Sequence, residues 1–215
     1  MSDYKMGKEN NKIKSDKIFN AIAPIYGLFY SFQIKNYKRN FNKIKHLVDI
    51  SLYKNIIDIG CGTGALCNIL NQNGLNVTGV DSVAKMLDLA KKNQNTDDIN
   101  FVQANTLEGL PFADKSFDIS ITSYVAHGLK ENERKVMYKE MRRITKYLVI
   151  IYDYNDRRSI ITDIVEWLEG GDYFNFIKNI KNELIECFRN VKIVNIGTRT
   201  ACYICSLDTK ELGQN

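Results

Sequence analysis

Proline is scarce in this chain, and long apolar runs are missing from it. The 215 residues include two prolines, Pro24 and Pro111, so no proline-rich linker divides the sequence. The longest apolar stretch, residues 21–30, is interrupted by Pro24 and Gly27 and is well short of the roughly 20 residues that a transmembrane helix needs. The first residues are polar up to Lys17, which predicts that no signal peptide begins here. We therefore expect one domain, located in the cytoplasm and without membrane insertion.

The cysteines do not form a recognisable disulfide or metal-binding pattern. There are five of them, at positions 61, 67, 187, 202 and 205, and the odd number favours a reducing compartment. Cys202 and Cys205 form a C-x-x-C pattern inside an apolar run of β character, where residues three apart point to opposite faces. No second pair exists to complete a zinc site. Buried structural cysteines are the preferred interpretation.

Charge of one sign is not concentrated anywhere in the sequence. The formal net charge of +5 is spread along the chain, and the densest basic part, residues 1–17, also contains acidic residues. This distribution predicts a flexible N-terminal end and argues against a nucleic-acid partner. The chain has two histidines, His46 and His127, and no Asp/His cluster, so we expect no catalytic metal.

The hydrophobic period changes once along the chain. Residues 18–50 place apolar side chains at helical spacing, at Ile34, Tyr37, Phe41, Ile44 and Val48. From residue 51 onwards short apolar runs alternate with helical patterns. Strands are predicted at 55–59, 77–81, 99–104, 117–122 and 147–152, and a final hairpin pairs 191–196 with 201–207.

This alternation indicates an α/β fold: a doubly wound, mostly parallel, seven-stranded Rossmann-like sheet with a terminal antiparallel hairpin. We expect a single domain over residues 18–215. In it, residues 18–50 form an N-terminal helical cap, 51–207 the core, and 155–188 a helical insertion that shapes the substrate pocket. The aromatic side chains of residues 167–174 either contact a substrate there or belong to the core.

A glycine-rich segment follows the first predicted strand and carries the strongest functional signal. Residues 58–64 read D-I-G-C-G-T-G, with glycine at Gly60, Gly62 and Gly64. Glycine lets the backbone turn sharply and lets a ligand lie against it. The helix that follows presents N–H groups to an anionic ligand group, and Asp58 at the strand end favours an ammonium. In an open α/β sheet, ligands bind at this edge.

Polar residues end the next two predicted strands. Asp81 follows the second strand, where a carboxylate accepts hydrogen bonds from the two hydroxyls of a ribose; the alternative is an acid that stabilises a helix N-terminus. Asn105 follows the third strand, where its amide either pairs with an adenine edge or belongs to a turn. Ser82 is predicted to cap the helix after the second strand.

These residues resemble one enzyme family. Segment 58–64 resembles the first motif of the class I S-adenosylmethionine-dependent methyltransferases, and Asp81 their acidic second motif. Residues 110–119, L-P-F-A-D-K-S-F-D-I, resemble the stretch that leads into the fourth strand of that family, and the terminal hairpin resembles its reversed last strand. Asn105 stands where an Asp is usual. The resemblance covers about residues 50–207, and it implies methyl transfer from S-adenosyl-L-methionine to a small-molecule acceptor.

The N-terminal region resembles one branch of this family. Residues 19–26, F-N-A-I-A-P-I-Y, resemble the corresponding segment of the quinone-biosynthesis-like methyltransferases, although Gly27 stands where that branch often has Asp. In that branch a tyrosine at the position of Tyr26 approaches the cofactor. The resemblance does not specify a quinone as the acceptor. The predicted cofactor-binding residues are Tyr26, Asp58, Gly60, Cys61, Gly62, Gly64, Asp81, Ser82, Met86, Ala104, Asn105 and Ser123.

Two residues after the fourth strand are candidates for catalysis. Displacement at a sulfonium needs mainly proximity and alignment, and a base only if the nucleophile must lose a proton. His127 lies beside the expected site and is either that base or a packing residue. Tyr124 either offers a π-face to the sulfonium and a hydroxyl to the ligand, or packs.

Other functions compete with this interpretation. The glycines at 60 and 62, Ala65 and Asp81 also satisfy the fingerprint of a nicotinamide-binding Rossmann domain, but Gly64, Asp58 and the terminal hairpin argue against it. A non-catalytic module that binds S-adenosylmethionine remains open. Residues 122–125 read T-S-Y-V and lack the Asp/Asn-Pro-Pro-Tyr/Phe motif of nucleic-acid amino-methyltransferases.

Overall fold

Short runs rich in Val and Ile form the strands of one sheet. The computed structural model describes residues 30–157, 171–188 and 190–207. Within these ranges the strands are β1 (Asn55–Ile59), β2 (Asn76–Asp81), β3 (Asn100–Gln103), β4 (Phe117–Ser123), β5 (Thr145–Tyr154), β6 (Asn190–Asn195) and β7 (Thr200–Ser206). The central strands β1, β4 and β5 are almost continuously buried, as parallel strands covered on both faces must be.

The sheet has the order β3-β2-β1-β4-β5-β7-β6. Strands β1 to β5 pair in parallel, whereas β7 pairs antiparallel with both β5 and β6. The chain reverses its direction of travel across the sheet between β3 and β4, so the switch point lies between β1 and β4. The predicted mostly parallel sheet with a terminal antiparallel hairpin is confirmed.

Helices cover both faces of this sheet. They are α1 (Tyr30–Lys45), α2 (Ala65–Gln72), α3 (Ala84–Asn93), α4 (Glu131–Ile144) and α5 (Tyr173–Cys187). Apolar side chains of α1, α2 and α3 pack on one face of the sheet, and those of α4 and α5 pack on the other. The predicted apolar stripe is found there: Phe41 and Ile44 of α1 are buried, as is Val48 just after its end, and Ile34 and Tyr37 pack against this cluster.

The cysteines of β7 contribute to the core on both faces. Cys202 and Cys205 are fully buried and belong to the two different apolar clusters, because residues three apart in a strand point to opposite sides. All five cysteines are free thiols. The prediction of structural cysteines is confirmed.

The start of α3 differs from the sequence prediction. The helix begins at Ala84 with Val83 as its N-cap residue, so the predicted capping role of Ser82 is wrong. Asp81 explains the difference, because its Oδ1 accepts the Val83 N–H at 2.9 Å. The predicted inner face of this helix is correct, since Val83, Met86, Leu87 and Ala90 are all buried.

Several predictions concern residues outside the described ranges. These are the flexible end at 1–17, Tyr26 and the rest of the cap before residue 30, and residues 158–170 of the insertion. The described part of the insertion contains α5. No helix within the described ranges combines the length and apolar character needed to cross a membrane.

Candidate functional site

The carboxyl ends of β1, β2, β4 and β5 open onto one large cavity. Its volume is about 1030 Å³. Residues 60–63 of the glycine loop, helix α1 and the β6–β7 turn all contribute to its lining. Ligand pockets usually measure roughly 300–1,000 Å³, so this cavity is large enough for two small molecules side by side.

The glycine loop is held against β2 by backbone hydrogen bonds. Gly60 N and Cys61 N both donate to Val80 O, at 2.8 and 3.0 Å. Gly60 and Gly62 have φ angles of +73° and +53°, which residues with a Cβ adopt only under strain. Gly62 lines the cavity, and a Cβ on it would meet no protein atom within 4 Å. The loop therefore presents bare backbone to the cavity.

Gly64 serves packing and is not part of the cavity lining. Its φ is +75°, and a Cβ there would lie 3.0 Å from the Ala90 Cβ and 3.1 Å from the Phe101 Cζ. The missing side chain thus lets the start of α2 approach α3 and β3. Because Gly64 does not line the cavity, its predicted contact with a cofactor stays a prediction.

Asp58 lies beneath the loop and is 2% exposed. Its Oδ2 accepts a hydrogen bond from Cys67 Sγ at 3.4 Å, and its Oδ1 has no hydrogen-bond partner in the described part of the chain. Burial raises the pKa of this carboxyl to about 7, the Cys67 bond opposes the rise, and the neighbouring Asp81 adds to it. An ammonium that approached Asp58 would stabilise its charged form.

Asp81 is part of the cavity wall and is tied to the glycine loop. Its Oδ2 accepts the Gly62 N–H at 2.9 Å, and its Oδ1 accepts the Val83 N–H. A carboxylate has about four lone-pair positions, so these two bonds are compatible with further bonds to ribose hydroxyls. The Gly62 N–H points at Asp81, and this bond differs from the expectation that the loop amides face an anionic ligand group.

The remaining predicted cofactor residues that the structure describes line the same cavity. Cys61 and Met86 are buried lining residues, Ala104 and Ser123 line its wall, and Ser82 lines it from an exposed position. The structure therefore brings these residues together as predicted, while their contacts with a cofactor stay a prediction.

Asn105 lines the cavity from a short 3₁₀ turn over Thr106–Glu108. Its Oδ1 accepts the Leu107 N–H at 3.0 Å, and its Nδ2 donates to Glu108 Oε1 at 3.1 Å. Both ends of the amide are thus engaged in the turn. A contact with an adenine edge needs a further bond from the same groups, so that role stays a prediction.

Tyr124 is an aromatic residue of the cavity lining. Its φ is +55°, which is uncommon for a bulky residue and costs strain energy. This backbone directs a side chain that is 38% exposed, and its hydroxyl lies 3.1 Å from Thr200 Oγ1. The ring makes edge contacts with Tyr152 and Tyr154, at 5.1 and 5.5 Å between centroids. Tyrosines therefore form one wall of the cavity.

His127 lines the cavity beside this wall and is bound to a buried acid. Its Nδ1 lies 2.7 Å from Asp153 Oδ1, and its backbone N–H donates to Asp153 Oδ2 at 3.3 Å. Asp153 is fully buried. An imidazole hydrogen-bonded to a carboxylate through Nδ1 is oriented to exchange a proton through Nε2.

Helix α1 makes polar contacts with the carboxyl ends of β4 and β5 at the cavity. The Tyr37 and Ser123 hydroxyls lie 2.6 Å apart, and Asn40 Nδ2 donates to the Tyr152 hydroxyl. Burial raises the pKa of Tyr37 and Tyr152 well above the ordinary phenol value, so both stay neutral.

Sequence reasoning missed several residues of this site. It assigned Tyr37 only to the apolar face of α1, and it made no link between Asp153 and His127. The β6–β7 turn, which lines the cavity through residues 196–200, was treated only as a hairpin connection. An acid at the end of a strand beside the switch point is the one signal that pointed towards Asp153.

Comparison with known proteins gives consistent results. Residues 57–151 match the family model of a methyltransferase domain. An uncharacterized methyltransferase of Staphylococcus carnosus is 24% identical over 186 residues, which covers 83% of this chain and 87% of its own. A ubiquinone biosynthesis O-methyltransferase of Rickettsia bellii is 28% identical over 190 residues, which covers 83% of this chain and 74% of its own.

Solved structures share the fold. A protein of Methanococcus maripaludis, described as an S-adenosyl-L-methionine-dependent methyltransferase, superposes with a TM-score of 0.68 at 20% identity, covering 88% of this chain and 93% of its own. Human N-acetylserotonin methyltransferase, solved in complex with S-adenosylmethionine, gives 0.66 at 16% identity, covering 87% of this chain and 58% of its own.

Proposed function

We propose that this chain is a class I S-adenosylmethionine-dependent methyltransferase of the quinone-biosynthesis-like branch, and that its cavity divides the reaction between the part lined by the glycine loop and the part lined by tyrosines. The glycine-loop end binds the cofactor, and the tyrosine-lined end receives the small-molecule acceptor. The protein is thus an enzyme that transfers a methyl group. A quinone-type ring is one acceptor of suitable shape, as the name of the Rickettsia relative suggests for that protein.

The residues of the loop end fit this cofactor. Gly62 leaves open space at the cavity wall, and Asp81 stands beside it as a hydrogen-bond acceptor for ribose hydroxyls. Asp58 holds a buried carboxyl oxygen without a partner among the described residues, which suits a nearby ammonium. When bound, the cofactor supplies a methyl group on a positively charged sulfur. Cys61, Ser82, Met86, Ala104, Asn105 and Ser123 would complete this end, and Tyr26 would approach it from the cap.

The acceptor end supplies orientation and a proton acceptor. Tyr124 and His127 are the proposed catalytic residues, because both line the cavity after β4. The carboxylate of Asp81 and the aromatic wall both line the cavity, and they offer a charged and an apolar environment to the two ligands. Alignment of two bound reactants is worth several kcal/mol of the barrier.

We also propose that residues 18–215 act as one domain in the cytoplasm and without a nucleic-acid partner. The modest, spread-out charge argues against a nucleic-acid partner, and the five free cysteines fit a reducing compartment. The 18–50 cap and the 155–188 insertion would enclose the acceptor.

The position of Asp81 between the glycine loop and the cavity is the observation that carries the proposal, and binding tests it. We expect calorimetry to show micromolar binding of S-adenosylmethionine and S-adenosylhomocysteine, and none of NAD. Asp81→Asn should weaken the affinity roughly ten- to hundredfold, because a charged hydrogen-bond acceptor is lost.

Asp88→Asn is the matched control. Asp88 is an exposed acid of α3 outside the cavity lining, and its replacement should leave the affinity unchanged. Unchanged affinity in the Asp81 variant would remove the ribose assignment. Failure of both sulfur compounds to bind the folded protein would remove the proposed function.

A further inference from the structure

Asp153 is a buried acceptor with three N–H partners. It lies near the end of β5 and is 0% exposed. Its Oδ1 accepts from Tyr154 N at 2.8 Å and lies 2.7 Å from His127 Nδ1, while its Oδ2 accepts from His127 N. A fully buried carboxylate needs such donors, and here two of the three belong to one histidine.

Aromatic rings hold the His127 imidazole in place. The Tyr154 ring lies 4.8 Å from it at an interplanar angle of 72°, and the rings of Tyr124 and Phe176 lie at 6.5 and 6.4 Å. These edge-on contacts and the Asp153 bonds oppose rotation of the imidazole. With the Nδ1 proton shared with the carboxylate, Nε2 is the ring atom that accepts a proton.

We propose that Asp153 is the positioning residue that fixes His127 as a general base, and that the acceptor is an aromatic hydroxyl compound. This inference rests on the proposed function and deepens it. Methyl transfer to a hydroxyl oxygen needs removal of the O–H proton, which is the task that a carboxylate-bound imidazole performs. The tyrosines that line the cavity, Tyr37, Tyr124, Tyr152 and Tyr154, offer aromatic surfaces to a planar ring.

The step balances without any further reactant. The acceptor oxygen gives its proton to His127 Nε2 and donates a lone pair to the methyl carbon. A bound S-adenosylmethionine would supply the methyl group, and the electron pair of its broken carbon–sulfur bond would stay on sulfur, which would become neutral. The imidazolium that forms is stabilised by the Asp153 carboxylate, and it loses its proton to solvent after the product leaves.

Nuclear magnetic resonance of ¹⁵N-histidine-labelled protein tests the positioning role directly. The chain has two histidines, and the exposed His46 is an internal reference. Wild-type His127 should be the tautomer protonated at Nδ1. Asp153→Asn should abolish or reverse this tautomer preference, because an amide cannot accept from all three donors.

Asp156→Asn is the control, since Asp156 is an exposed acid three residues further along. It should leave the spectrum of His127 unchanged. An unchanged His127 tautomer in folded Asp153→Asn overturns the positioning role. Titration with S-adenosylhomocysteine accompanies each variant: retained affinity separates a failure of this inference from a failure of the proposed function.

Turnover of matched acceptors tests the chemical class. Formation of S-adenosylhomocysteine should be detected with catechol-type and naphthol-type phenols and not with the corresponding anilines. Both Asp153→Asn and His127→Ala should lower kcat at least tenfold with little change in the KM of the cofactor. Turnover of anilines alone, no phenol turned over, or kcat unaffected by both substitutions contradicts the assignment.

Discussion

Glycine at a few positions decides the shape of the cofactor end. Gly60 and Gly74 both have positive φ angles, +73° and +84°, at opposite ends of the loop–α2 unit. They differ in their surroundings. A Cβ on Gly60 would lie 2.5 Å from Val125 Cγ2, whereas a Cβ on Gly74 would meet nothing within 4 Å. Glycine at position 60 avoids both a strained positive φ and a clash with Val125, whereas glycine at position 74 avoids only the strained φ.

This difference predicts the outcome of two alanine substitutions. Gly74→Ala should destabilise the protein by about 1–2 kcal/mol, the cost of a left-handed residue with a Cβ, and leave cofactor affinity intact. Gly60→Ala should destabilise it further, because Val125 must move, and should lower the affinity for S-adenosylhomocysteine at least tenfold. Urea unfolding and calorimetry measure the two effects, and equal behaviour of the variants would contradict this account.

Helices α4 and α5 are joined by a buried ion pair beneath the His127 turn. Arg134 of α4 is fully buried and donates from Nε and Nη2 to both Glu183 oxygens at 2.7 Å. Its Nη1 donates to Asp172 Oδ2 at 2.9 Å and to the carbonyl of Leu129. The bidentate pair therefore connects α5 to the segment that follows His127.

Replacing one partner of this ion pair should cost stability, whereas replacing both partners with apolar residues should cost little. Arg134→Met leaves the Glu183 carboxylate buried and unpaired, and we expect a loss of about 3–5 kcal/mol in the free energy of unfolding. The double variant Arg134→Met with Glu183→Leu should recover most of that loss.

Lys135 is the control on the same helix. Its pairs with Glu131 and Glu186 are exposed, so Lys135→Met should change the stability little. Guanidinium unfolding of the four proteins provides the comparison. A double variant as unstable as Arg134→Met would contradict the pairing argument.

The stability of the whole molecule should depend on the ionisation of Asp58. Burial raises the pKa of this carboxyl to about 7 in the folded protein, whereas an unfolded Asp titrates near 3.8. The folded state thus holds the proton more tightly. Its contribution to stability is fully present below the unfolded value, decreases as the pH rises towards 7, and is lost above it.

The substitution Asp58→Asn should remove this contribution of Asp58 to the pH dependence of stability. Without cofactor, the variant should melt at least about 4 °C above the wild type at pH 8, and the difference should shrink towards pH 4. Asp88→Asn, which alters an exposed acid, should show no such trend. Thermal unfolding monitored by circular dichroism across this range measures the effect, and a difference independent of pH would contradict the raised pKa.

The fold was largely predictable from the chain, and so was the meeting of the glycine loop and Asp81 at one cavity. The alternation of apolar runs with helical patterns predicted a doubly wound, mostly parallel sheet. The loop at 60–64 and Asp81 predicted a ligand site at the carboxyl ends of its strands. Errors fell at element ends, as with Ser82: the helix begins one residue later than predicted, after a turn in which Asp81 accepts the Val83 N–H. The packing of Gly64 against Phe101 was not predicted, because this contact depends on how α2 packs; its predicted contact with a cofactor stays a prediction.

The sequence by itself determined what depends on local period and on glycine: the doubly wound sheet, its reversed final hairpin and the bare loop after β1. Tertiary structure alone decided which distant side chains meet. His127 and Asp153 are 26 positions apart, Tyr37 and Ser123 are 86 apart, and Arg134 and Glu183 are 49 apart. Such pairings depend on the order of strands across the sheet and the packing of helices on it. No local pattern encodes them, because the groups become neighbours only when the sheet is complete.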